Sequence, residues 1–109
     1  MKVCPQENPA LSYTFKEVNS KEAMFAIRDS ENYQYQNFKI DKKIVSKKGD
    51  PELTKLMGEE NISYIQFELS LGDTKEYLLT TVGASGAKYI VIMQSMGKFN
   101  LFGSSAFCK

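Results

Sequence analysis

Two cysteines, Cys4 and Cys108, stand at the two ends of a 109-residue chain. Joined, they would close nearly the whole chain into one loop, and the chain-entropy gain for a loop of that size is on the order of 4–5 kcal/mol as an upper figure. Disulfides persist in oxidising compartments, so the pair predicts a single domain, residues 1–109, that is exported and periplasmic or extracellular. Both cysteines lie in polar terminal segments, whereas unpaired cysteines are more often buried in the middle of a core. Met1-Lys2-Val3-Cys4 reads as an initiator methionine set on a trimmed mature chain, which implies that an export signal has been removed.

The remaining side chains exclude more chemistry than they offer. The chain has no histidine and no tryptophan. Without imidazole there is no general base of that kind, no Ser-His or Cys-His dyad and no histidine metal ligand. The carboxylates Glu59 with Glu60, and Asp73 with Glu76, fall in segments that read as loops and turns, and the expectation for them is solvated surface charge. Ser104-Ser105 has no visible activator. The sequence is therefore read as a non-enzyme with no catalytic residue, no cofactor and no metal site. Lys and Arg total 14 against 13 Asp and Glu, a net charge of +1. That balance offers little attraction to nucleic acid or an anionic membrane. No apolar run approaches the roughly 18–20 residues needed to span a bilayer.

The elements follow from a pattern dominated by period two, the signature of half-buried strands. Leu11, Tyr13 and Phe15 mark a first strand, and Asn19-Ser20-Lys21 turns it into a second carrying Ala23, Phe25 and Ile27. Residues 33–46 form a long strand whose apolar phase slips between Tyr35 and Phe38, predicting a bulge or a bend there. One short helix is signalled by Asp50 as cap, Pro51 at its first position, Glu52 at its positive end and Gly58 as terminator. Its apolar face, Leu53, Leu56 and Met57, is expected to plug an end of a sheet. Beyond it, Ile65, Phe67 and Leu69 should point inward, and residues 75–82, 88–93 and 98–102 give three further strands. The last two are joined by a turn at Ser95-Met96-Gly97. The fold class is mainly β: a small antiparallel barrel or sandwich of about six to seven strands with one short helix.

Five small residues, Gly83-Ala84-Ser85-Gly86-Ala87, separate two of these strands and lead into Lys88-Tyr89. A loop of this kind exposes its backbone to close approach. Here the chain resembles the membrane-bound and periplasmic inhibitors of c-type lysozyme, which carry a Ser-Gly-x-x-Tyr motif and often read Ser-Ala-Ser-Gly-Ala-Arg-Tyr. Inhibitors of i-type and g-type lysozymes share parts of the pattern. The resemblance implies a small disulfide-linked β-barrel whose loop enters the lysozyme cleft. There the motif serine hydrogen-bonds to the catalytic carboxylates and a cation from a neighbouring loop adds charge pairing. By position Ser85 is the inserted hydroxyl, Gly86 permits close approach, Tyr89 braces the loop or contacts the target, and Lys98, with Lys88 behind it, is the cation. The match covers about a quarter of the chain, and Gly97-Lys98 stands where the family usually has Lys-Gly.

Two other readings stay open. A periplasmic immunity protein that neutralises an interbacterial toxin enzyme needs no motif, and its binding surface would be the cluster Lys39, Lys42, Lys43, Lys47 and Lys48. The plainer reading of those lysines is a solvated edge that deters strand-to-strand association. A structural or adhesion module would expose a large apolar patch. Asn61-Ile62-Ser63 matches the acceptor pattern for N-glycosylation.

Overall fold

The computed structural model of the chain describes residues 1–8, 10–93 and 97–108. Ser95 and Met96 of the expected last turn lie outside the described residues. The strands are β1 (Lys2–Val3), β2 (Ser12–Glu17), β3 (Glu22–Arg28), β4 (Tyr33–Ser46), β5 (Asn61–Leu71), β6 (Thr74–Gly83), β7 (Lys88–Met93) and β8 (Phe99–Ser104). Helix α1 (Pro51–Met57) joins β4 to β5, and a single 3-10 turn (Ser105–Phe107) follows β8. All eight strands form one antiparallel sheet in chain order. β1 is the strand the periodicity does not show, because its two residues, paired with Tyr13 and Thr14, are too few to display a period.

The sheet curls so that one face of every strand points to a common interior. Val3, Phe15, Ala23, Phe67, Leu69, Leu78 and Ile90 form that core, with Ile65 packed against it as its spacing predicts. The next residues along β6 and β7, Leu79 and Val91, point the other way and meet Leu53 of α1. β7 is apolar on both sides for this reason: the interior covers one face and the helix the other. The helix therefore covers the outer face of the sheet and does not plug its end. Its boundaries are as the sequence indicates. Asp50 Oδ1 accepts from the N–H of Glu52 at 2.8 Å and of Leu53 at 3.3 Å, and Gly58 ends the helix at φ 76°.

The two margins of the sheet meet without closing it into a barrel. Cys4 and Ser104 exchange two backbone hydrogen bonds of 3.0 Å, a single bridge beyond β1. The Cys4–Cys108 disulfide crosses the same seam with a Cα–Cα separation of 5.0 Å. Among the described residues no helix is long and apolar enough to cross a membrane.

The long strand β4 differs from expectation in its detail. Its register with β3 is unbroken from Tyr33 to Lys39, and the irregularity falls later, between Ile40 and Lys42. No bulge separates Tyr35 from Phe38. Tyr33 and Tyr35 stand on the opposite face from Phe38, so the apolar pattern changes phase while the backbone does not.

Candidate functional site

The chain folds its most distinctive loop into a tight turn at one end of the β6–β7 hairpin. The Gly86 N–H donates to Gly83 O at 2.9 Å and the Gly83 N–H to Ala87 O at 2.9 Å. Gly86 adopts φ 88°, a left-handed conformation that explains a glycine at that position. Ala84, Ser85 and Gly86 are exposed at the tip.

The turn rests on a carboxylate that its sequence neighbours do not announce. Glu59 follows the helix terminator Gly58, and its Oε1 accepts from the Ser85 N–H at 2.7 Å. Its Oε2 accepts from the Ser85 hydroxyl at 2.9 Å and from the Tyr89 hydroxyl. Three donors on one carboxylate, the Tyr89 hydroxyl foremost and then the Ser85 amide and hydroxyl, hold the Glu59 carboxyl below the usual glutamate range. Burial, and after it the bond to Glu59, pushes the Tyr89 hydroxyl up. Glu59 reaches these partners only because residue 83 is glycine. A Cβ there would stand 2.3 Å from the Glu59 carboxyl carbon. The expectation of solvated surface charge for Glu59 is thus corrected: it is a bound brace. The glycine at the end of β6 was the available signal, since a glycine at a strand terminus marks the close approach of another group.

Two further ties fix the turn to the frame. The Ala84 N–H donates to Glu60 O at 2.9 Å, and the Lys88 N–H to Ser105 Oγ at 2.8 Å. Ser105 opens the 3-10 turn that ends at the disulfide, so the loop's exit and the chain's closure share one corner. Beneath Glu59, the buried side chain of Asn61 accepts from the Asp50 N–H and donates to the carbonyls of Ser63 and Val82. Asn61 is 4% exposed, so the folded chain does not offer it as a glycan acceptor.

The residues singled out in the sequence separate into two groups. Ser85, Gly86, Lys88 and Tyr89 come together, with Tyr89 buried at the base and Lys88 exposed beside the tip. Lys98 does not join them. It precedes β8 at the far end of β7, a six-residue strand that spans roughly 17–20 Å, and it lies near Glu52 and Leu56 of the helix.

Fold and site together define a single curled antiparallel sheet, sealed by a terminal disulfide and presenting a carboxylate-braced turn. The chain matches no protein-family model, no curated protein and no solved structure.

Proposed function

We propose that this chain is an exported protein-binding inhibitor of a lysozyme-type muramidase, and that it acts by seating the turn of residues 84–86 in the enzyme's cleft. The observation that supports this reading is the polarity of the turn. Every backbone N–H from Gly83 to Lys88 is donated within the chain. The groups left to a partner are the carbonyls of Ala84, Ser85 and Gly86, a lone pair on Ser85 Oγ, and the exposed Lys88 ammonium. A retaining muramidase holds one carboxyl protonated as general acid and a second one ionised a few ångströms away. Acceptors suit the first and a cation suits the second.

In this arrangement Ser85 accepts a hydrogen bond from the protonated carboxyl. Its own hydrogen is already given to Glu59. Lys88 takes the charge-pairing place expected of Lys98, because it is the lysine adjoining the tip. The internal ties keep the turn ordered before it binds, which lowers the entropy lost on association.

The test is the rate of bacterial cell lysis by c-type and i-type lysozymes in the presence of the oxidised protein. Lysis should slow at micromolar concentration, Lys88→Glu should abolish the effect, and Lys98→Ala should leave it intact. Unchanged lysis by c-, i- and g-type lysozymes alike would overturn the proposal.

A further inference from the structure

Two carboxylates point into the curl of the sheet, and only one of them is neutralised from within the chain. Glu17 stands opposite Ala23 in the β2–β3 ladder, and Lys43 stands opposite Phe67 in the β4–β5 ladder. Residues opposite one another share a face, and Ala23 and Phe67 belong to the core, so both charges face inward. They meet there. Lys43 Nζ donates to Glu17 Oε1 and Oε2 at 3.1 and 2.9 Å and lies 5.7 Å from the centre of the Phe67 ring. An aliphatic stem thus crosses apolar surface, with its ammonium held by a carboxylate and a ring face.

Toward the opposite end, from Phe67 to Leu69 and from Leu78 to Glu76, the interior opens into a hollow of about 220 Å³. Leu69 and Leu78 are buried at its floor, and the half-buried Phe25, Phe38, Ile92 and Phe102 wall it. Glu76 stands opposite Leu69 in the β5–β6 ladder, so it too faces inward, at the exposed mouth. Among the described residues it is the one charged side chain lining the hollow, and it takes part in no ion pair. The lysines nearest the mouth along the chain are directed elsewhere. Lys75 is on the other face of β6 by alternation, and Lys98 lies near Glu52 and Leu56 of the helix.

We propose that this hollow binds a small aliphatic amine, with the ammonium paired to Glu76 and the chain laid among Phe25, Phe38, Ile92 and Phe102. Such a ligand repeats at the mouth what Lys43, Glu17 and Phe67 do at the other end. The volume sets its length: an apolar cavity of about 150 Å³ holds benzene, so this one takes a chain of roughly six to eight carbons. The charge sets its head, because a carboxylate ligand of equal length would bring two like charges together at the mouth. A curl of eight strands is wide enough for one small ligand. The site is separate from the proposed muramidase contact, since Glu76 is near the start of β6 and the Ser85 turn follows its end at Gly83, roughly 23 Å along the strand.

Titration of the oxidised protein with n-hexylammonium, n-hexanol and n-hexanoate, followed by the NMR signals of the lining side chains, tests this. Hexylammonium should bind in the millimolar range or tighter and shift the methyl signals of Leu69, Leu78 and Ile92. It should bind about tenfold or more tightly than hexanoate, with hexanol between them. Glu76→Gln should bring the amine to within about twofold of the alcohol. Ile92→Phe, which fills the hollow, should weaken all three probes; Glu76→Gln, a change at an exposed position, still decides the matter if Ile92→Phe fails to fold. Lining signals that hexylammonium leaves unmoved at tens of millimolar, hexanoate binding as tightly as hexylammonium, or an amine preference that survives Glu76→Gln would each overturn the proposal.

Discussion

Glu59 and Ser85, 26 residues apart, are joined by two hydrogen bonds, one from the backbone N–H at 2.7 Å and one from the hydroxyl at 2.9 Å. A third bond, from the Tyr89 hydroxyl, lands on the same carboxylate. The segment after the helix thereby holds the shape of a turn two strands away. What the turn presents outward depends on what it gives to Glu59.

Removing the brace should loosen the turn without unfolding the sheet. In Glu59→Ala, the Ser85 amide and both hydroxyls lose their acceptor. Amide exchange at Ser85 should accelerate, while exchange in the buried centre of β7 stays slow. Equal protection of Ser85 in both proteins would count against the brace.

Gly83→Ala should give the same defect by another route. The added methyl would stand 2.3 Å from the Glu59 carboxyl carbon, so that side chain must move away from the turn. The double variant Gly83→Ala with Glu59→Ala should be little worse than either single one, because both delete one interaction. Additive losses of melting temperature would show that the two residues act separately.

The brace also makes stability depend on pH. A carboxyl held below its ordinary value in the folded state contributes stability that is complete above the unfolded glutamate pKa of about 4.3. That contribution is lost as pH falls through this value toward the lower folded one. Asp29, whose carboxyl is lowered by the N–H groups of Glu31 and Asn32, acts in the same direction. Thermal melts of the native chain should therefore drop more steeply below about pH 4 than those of Glu59→Gln. Parallel curves would exclude Glu59 as a source.

Inhibition, if the proposed muramidase binding holds, carries its own pH signature. A turn of acceptors prefers a protonated general acid, so affinity should rise as pH falls through that acid's pKa, near about 6 in an enzyme of this class. Inhibition constants measured across that range decide it; affinity that falls with acidification speaks for a donating Ser85.

Two stability changes test the frame. Cys4→Ser with Cys108→Ser should cost about 2–5 kcal/mol by denaturant titration, as loss of a disulfide from a small domain does. Leu53→Ala, which empties the contact between α1 and the outer sheet face, should also cost about 2–5 kcal/mol. A cost well under 1 kcal/mol for Leu53→Ala would mean the helix is not a necessary cover.

Local features were legible in the residues alone because each is decided within a short window. The cap Asp50, the terminator Gly58, the inward set Phe67 and Leu69, and the turn at Gly83 to Ala87 depend on dihedral preference and on a period of two. The terminal disulfide was legible from the placement of its cysteines. The tertiary structure decided whatever depends on register between distant segments. It placed the helix on the outer face, moved the irregularity of β4 to Asp41, and set Lys98 a strand's length from Ser85. It also brought Glu59 under the motif. No spacing in the sequence links residues 59, 85 and 89. They meet because Gly58 turns the chain out of the helix, the β5–β6 ladder aligns Asn61 with Gly83, and a residue without a side chain leaves room for the carboxylate between them.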